Sequence, residues 1–292
     1  MKYQIISDGS CDLSLEFAKE KGLEIVPFYV SFDGENYYKE GLEVDHFEFY
    51  NKMIEDHVYP KTSLPSVQDF VDVFSKYAED AIPMICICIT TKFSGSYQSA
   101  CNAKEIVLEK YPNAVITVID SMVNTVLQGL YVQEALRMQA DGVSYEEAIA
   151  HLERIKSTGR IVFTIASMDY LKKGGRMGKL LTFASDTLGI KPLIVLKEGE
   201  IFPAGITRSR EKSKRKLIDI AQDHFKKIDE DPGTYSFAVG TGIDFEEAEK
   251  FKDMVDEGLG IKVPTIGRIG VTIGTHTGPH PIGMGFIKKY DA

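Results

Sequence analysis

Apolar residues follow two alternating rhythms over the first half of the chain. Short apolar runs at 3–7, 84–90, 114–119 and 161–166 have the length and β-branched content of buried strands. Each stops at small hydroxyl or acidic residues: Asp8-Gly9-Ser10, Phe93-Ser94-Gly95-Ser96, Asp120-Ser121 and Ser167-Met168-Asp169. Between them lie helical spacings. A short helix is expected over 12–21. Val67, Phe70, Val71, Phe74 and Ala78 mark another, entered after Thr62-Ser63-Leu64-Pro65, with Ser66 and Asp69 placed as a capping box. Further helices are expected at 94–110, stopping before Pro112, at about 122–139, and through Tyr145, Ala148, Ile149, Leu152 and Ile155. A second strand at 24–31 is broken by Pro27, which suits an edge.

The strict alternation relaxes near residues 156–160. Beyond it the pattern predicts strands at 189–196, 201–204, 235–240, 261–266, 270–275 and 283–288, with helices over 210–228 and 246–257. That mixture suits an α+β unit after an α/β one. In an open parallel sheet the carboxyl ends of the strands line one crevice. The polar strand ends therefore point at a single pocket, with the histidine of Thr272-Ile-Gly-Thr-His276-Thr-Gly-Pro as its natural partner.

Composition narrows the ligand. A chain of 292 residues can bury two cores of ordinary size. Its net charge of -9, spread along the chain, argues against a nucleic-acid binder, which needs a basic face to neutralise phosphates. Cys11, Cys86, Cys88 and Cys101 lack metal-site spacing and read as reduced thiols. No apolar run reaches signal-peptide or membrane-spanning length, so the expected location is cytoplasmic, with at most transient membrane contact.

Three constellations carry candidate chemistry. Ser94, Gly95 and Ser96 sit at a strand-to-helix junction, where free backbone N–H groups and hydroxyls attract carboxylate or phosphate oxygens. Thr62 and Ser63 place two more hydroxyls at a second helix entry. A simple serine cap is the plainer reading of either. His276 lies among Thr275, Thr277, Gly278 and Pro279, in what reads as a turn with room for a ligand oxygen. His276 and His280 are four apart, but the intervening Gly-Pro deprives that spacing of zinc-site meaning. A Ser94–Asp120–His276 triad would make the chain a serine hydrolase of a lipid-like ester or thioester, although the chain has no Gly-x-Ser-x-Gly elbow. The basic stretch from Lys172 to Lys179 imitates a phosphate loop, yet Leu180 stands where a magnesium-binding hydroxyl is required. It reads either as a solvated turn or as a cationic loop for an acidic partner.

The chain resembles the DegV family of bacterial fatty-acid-binding proteins, the lipid-binding subunits of fatty acid kinase. The resemblance rests on seven segments in order: Ser7-Asp8-Gly9-Ser10-Cys11-Asp12-Leu13, Lys61-Thr62-Ser63-Leu64-Pro65-Ser66, Phe93-Ser94-Gly95-Ser96-Tyr97-Gln98-Ser99-Ala100, Val118-Ile119-Asp120-Ser121, Tyr170-Leu171-Lys172-Lys173-Gly174-Gly175-Arg176, Gly189-Ile190-Lys191-Pro192 and His276-Thr277-Gly278-Pro279. It implies a two-domain α/β fold: an N-terminal α/β domain at 1–159 with a largely parallel sheet, and a C-terminal α+β domain at 160–292 with a mixed or antiparallel sheet. The ligand cleft lies between them. By similarity, Thr62, Ser94, Gly95 and His276 match residues around a fatty-acid carboxylate, while Ser63, Ser96, Asp120, Ser121, Thr275 and Thr277 line or support the cleft. Arg176 matches a basic surface that docks a separate ATP-binding fatty acid kinase. The implied ligand is one long-chain fatty acid, with no catalysis, cofactor, nucleotide or metal on this chain. Two departures from the family pattern stand out. Leu64 replaces a common glutamine, and His280-Pro281 replaces a glycine-rich continuation, adding a titratable ring expected near the head group.

Overall fold

The computed structural model describes residues 3–183 and 190–292. Four strands, β1 (Gln4–Asp8), β2 (Glu24–Val26), β6 (Met84–Cys88) and β7 (Ile116–Asp120), form a parallel sheet in the order β2-β1-β6-β7. β6 is buried at every position, as a central strand covered on both faces must be. The expected 24–31 strand is split at Pro27. Its second part, β3 (Tyr29–Ser31), leaves the parallel sheet and pairs with β4 (Tyr38–Lys39) and β5 (Lys61–Ser63) in a three-stranded antiparallel sheet. Thr62 is thus a strand residue opposite Val30, and the helix that follows is entered at Ser66, directly after this segment, as expected.

Helices α1 (Leu15–Lys21), α3 (Val67–Glu79), α4 (Ser96–Lys110), α5 (Thr125–Ala140) and α6 (Tyr145–Ile155) fall where the periodicity puts them, and the Ser66–Asp69 capping box is present. One helix, α2 (His46–Glu55), was not expected. α5 is buried nearly all round. It packs against both the parallel sheet and a second sheet, which explains why its sequence shows no apolar stripe.

The second sheet has six strands in the order β10-β9-β8-β13-β11-β12, from β8 (Arg160–Thr164), β9 (Lys191–Lys197), β10 (Glu200–Thr207), β11 (Tyr235–Thr241), β12 (Ile266–Arg268) and β13 (Ile282–Lys288). All its neighbours are antiparallel except β11 and β12. The architecture is thus a two-domain α/β one, with an N-terminal parallel sheet and a C-terminal mixed sheet. Helices α8 (Arg210–Ile228) and α9 (Phe245–Leu259) pack on the second sheet, and α7 (Asp169–Lys173) follows β8. One apolar cluster runs through α5 from Ile5, Ile85 and Ile87 on the first sheet to Ile161, Ile194 and Ile287 on the second.

Three expectations need correction. The strand end at 161–166 does not join the parallel crevice, because β8 pairs antiparallel with β9 and β13 in the other sheet. The strand expected at 261–266 is reduced to β12, which begins where the first ends. Most consequential, 270–275 is not a strand but the start of helix α10 (Val271–Thr277). Its β-branched residues suggest extension, but distant groups hold it helical. Glu40 accepts from the Val271 N–H at 2.5 Å and from the Thr272 hydroxyl at 2.5 Å, doing the work of an N-cap. Thr275 and Thr277 return their hydroxyls to Val271 and Ile273 carbonyls, and Gly278 at φ +76° ends the helix.

Candidate functional site

α10 brings His276 to the pocket from its last turn, and β5 brings Thr62 from the small sheet. Thr62 Oγ1 and His276 Nε2 lie 3.3 Å apart. Ser94 enters from the loop between β6 and α4. Its Oγ accepts the Ser96 N–H at 3.2 Å, a bond that leaves the hydroxyl proton uncommitted. These three residues line one cavity of about 780 Å³ including its open mouth, together with Ser63, Leu64, Thr277 and the apolar Phe28, Ile89, Phe93 and Ile273. A second cavity of about 440 Å³ adjoins it, sharing Asn124, Phe163, Ile201, Ile273 and Thr277, and its other walls include Val126, Ile161, Leu196, Ile269 and Ile282. The hydroxyls of Thr62 and Ser94 and the imidazole thus belong to the first cavity, and the walls of the second are mostly apolar.

The loop that aims Ser94 is fixed from beneath. Asp8, at the end of β1, accepts from Ser96 Oγ at 2.7 Å, the Ile89 N–H at 2.9 Å, Ser10 Oγ at 2.7 Å and Gln128 Nε2 at 2.8 Å. Burial still raises its pKa above the usual carboxylate range, against these four bonds. Ser96 is thus spent on the scaffold. Asp120 accepts from Thr91 Oγ1 at 2.7 Å and the Met122 N–H at 2.9 Å, and Ser121 bonds within its own loop. Thr275 is turned back along α10. Gly95, the N-cap residue of α4, stands beside Leu64, whose Cδ2 would lie 3.7 Å from a Cβ there. Leu64 is on the cavity wall, so that part of the rim is apolar.

His276 is pushed down to about 4, first by burial and then by the Arg176 charge, so its ring is neutral at pH 7. Its Nδ1 is buried without a protein partner. A Cβ on Gly174 would fall 2.1 Å from that nitrogen, so only glycine leaves room for the ring. The imidazole's second nitrogen is not held by Asp120 or any other described carboxylate, and the orientation a hydrolase triad needs is not assembled.

Arg176, expected on a docking surface, lines this same cavity. It is exposed, and it donates from Nη1 to the Gly174 carbonyl at 2.7 Å and from Nε to the Phe93 carbonyl at 3.3 Å. It ties the loop under His276 to the loop bearing Ser94. His280 corrects an expectation outright: its Nδ1 faces Asp244 at 3.0 Å, and it lines neither cavity. The chain leaves α10 at Gly278, two residues before it. The sequence reading also passed over Asn124 and Glu40. The first falls inside the helix expected from about 122, and nothing in the local pattern around the second marks it as the acceptor for a helix 231 residues away.

No group of three or more histidine, cysteine or acidic side chains able to hold a metal occurs among the described residues. No helix among them is long and apolar enough to cross a membrane.

The model of the family described as "uncharacterised protein, DegV family" matches residues 2–289. A DegV domain-containing protein of Clostridium perfringens is 30% identical over 288 residues, covering 98% of this chain and 97% of its own. Among solved structures, a stearic acid-binding protein from Eubacterium ventriosum is 45% identical over 99% of both chains, with a TM-score of 0.95. A Thermus thermophilus DegV protein described by its fatty acid binding is 27% identical over 99% of this chain and 100% of its own, with a TM-score of 0.87. With a family match over nearly its whole length and a fold to agree with it, the chain belongs to the DegV family.

Proposed function

We propose that this protein binds one long-chain fatty acid, with the carboxylate held by Thr62, Ser94, the Gly95 amide and His276 and the alkyl chain laid through the two adjoining cavities. The observation that supports the reading is three hydrogen-bonding side chains, Thr62, Ser94 and His276, on one cavity that shares lining residues with a second, mostly apolar one. The relatives described as binding stearic acid and fatty acid, at 45% and 27% identity, support it. A carboxylate leaving water must be hydrogen-bonded or paired, and hydroxyls, an imidazole and a nearby guanidinium can do both. About fifteen methylenes at roughly 0.8 kcal/mol each give an upper bound near 12 kcal/mol before ordering costs, so the chain supplies most of the driving force.

On this reading the protein is a noncatalytic cytoplasmic carrier without a cofactor, with its two domains meeting at residue 159/160. It presents the carboxylate to a separate ATP-dependent kinase, and the cavity mouth at Arg176 is where that enzyme docks. Organic extraction of purified protein followed by mass spectrometry tests the first part: one long-chain fatty acid per chain is expected. Recovery of nucleotide with no lipid, or failure of delipidated protein to take up any fatty acid, would overturn it. For the second part, Arg176→Glu should slow phosphorylation of bound acid by a fatty acid kinase, and undiminished phosphorylation would remove Arg176 from the docking surface.

A further inference from the structure

The N-cap residue of α5 does not cap it. Asn124 takes the extended backbone conformation of an N-cap, yet its side chain makes no bond to the first turn of the helix. It lines both cavities, so it stands where the head-group end meets the apolar end. It is only 8% exposed, and its Oδ1 is buried without a partner. The neighbouring hydroxyls are committed elsewhere: Thr125 to Asp12, Thr272 to Glu40, and Thr277 to the Ile273 and Gly278 carbonyls. The backbone on either side is unusual too, with Met122 at φ +59° and Thr125 at φ +47°.

A tunnel for a plain alkyl chain gains nothing from a carboxamide in its wall. Val126, Ile161 and Leu196 are what such a wall requires, and they line much of the second cavity, where Thr125 and Thr277 have their hydroxyls bonded elsewhere. A buried amide with no partner is costly to keep. A carboxamide turned by 180° offers either an acceptor or a donor, so it can serve a hydroxyl in either role.

Resting on the fatty-acid reading, we propose that Asn124 is a specificity-determining residue that pairs with an oxygen substituent part-way along the acyl chain. The ligand class is then hydroxylated long-chain fatty acids. Such a substituent loses its water on entering the tunnel, and only a partner in the wall restores the bond.

Delipidated protein titrated with octadecanoate and with a positional series of monohydroxy-octadecanoates tests this. The wild type should bind one interior hydroxy position at least as tightly as octadecanoate and the other positions more weakly. Asn124→Leu should lower the favoured isomer's affinity relative to octadecanoate by about tenfold, the loss of one buried hydrogen bond. Asn124→Ala should do the same, so that crowding by leucine is separated from loss of the amide; both variants are checked for wild-type circular dichroism. Hydroxy acids uniformly weaker than octadecanoate, or a positional preference retained in both variants, would overturn the proposal while leaving fatty-acid binding intact. Failure of octadecanoate itself to bind the wild type would instead overturn the reading on which the proposal rests.

Discussion

The two ends of α10 are both closed by buried titratable groups, but burial acts on them in opposite directions. At the N-terminus Glu40 caps Val271 and Thr272, with Asp12 beside it. Burial raises Glu40 to about 7, and it raises Asp12 well above the usual carboxylate range, with the Glu40 charge adding to it. At the C-terminus the same burial pushes His276 down to about 4. One end keeps protons and the other refuses them, so both ends lose charge. The lesson is that this short helix owes its existence to partners outside itself, and that His276 is delivered neutral as a consequence of where the helix is buried.

Packing at the C-terminal end should give the largest effect. Gly174→Val places atoms where His276 Nδ1 now lies and should cost about 1–3 kcal/mol of stability, with more than tenfold weaker fatty-acid binding. Chemical denaturation and a binding titration check both, and a variant with wild-type affinity would show that the ring's present seat is not needed. At the opposite end, Glu40→Ala removes the acceptor for the first turn and should cost about 0.5–2 kcal/mol, the usual range for losing an N-cap. An unchanged unfolding midpoint would mean that α10 is held by packing alone.

How little of α10 shows in its own sequence follows from this comparison. Val271, Thr272, Ile273 and Thr275 favour a strand locally, and the acceptor that overrules them comes from Glu40, far away in the chain. The elements that were legible carry their own signals: the uninterrupted apolar run of β6, the Ser66–Asp69 box of α3, the spacing of α6. The small sheet was not, because strands of two and three residues are too short for a period. Thr62, Ser94 and His276 stood out as hydroxyls and an imidazole among glycines and apolar residues. Their convergence depended on β5 and α10, which local pattern did not show. Arg176 was visible only as a loop cation and Asn124 only as a position within the helix expected from about 122, since their facing a shared cavity is a tertiary fact.

Acidity should separate the two ends further. Glu40 and Asp12 hold their protons more tightly in the folded state. Glu40's stabilising contribution is complete below its usual carboxylate value and is lost as pH rises through about 7; Asp12's is lost in the same direction, as pH rises through its own raised value. His276 contributes stability above 6.5 that is lost as pH falls through about 4. Glu40→Gln should therefore flatten the fall in stability between about pH 4.5 and 7, where one such group contributes at most about 1.4 kcal/mol per pH unit. His276→Gln should flatten the opposite slope between about pH 6.5 and 4. Denaturant midpoints across that range measure both, and slopes identical to wild type would contradict the assignment. The smallest effect belongs to Arg176→Ala, which removes only the lesser cause of the His276 shift. The ring's titration, followed by NMR, should move up from about 4 yet stay below 6.5, and a fully restored value would make the arginine rather than burial the main cause.

The central claim, a carboxylate at Thr62, Ser94 and His276, is tested most directly by loading delipidated protein with octadecanoate carrying 13C at the carboxyl carbon. The account predicts a single bound carboxyl resonance that does not titrate as the free acid does and that shifts in both Thr62→Val and Ser94→Ala, with each variant losing about 1.5–3 kcal/mol of affinity. A resonance that titrates freely and is indifferent to both substitutions would place the carboxylate elsewhere and contradict it.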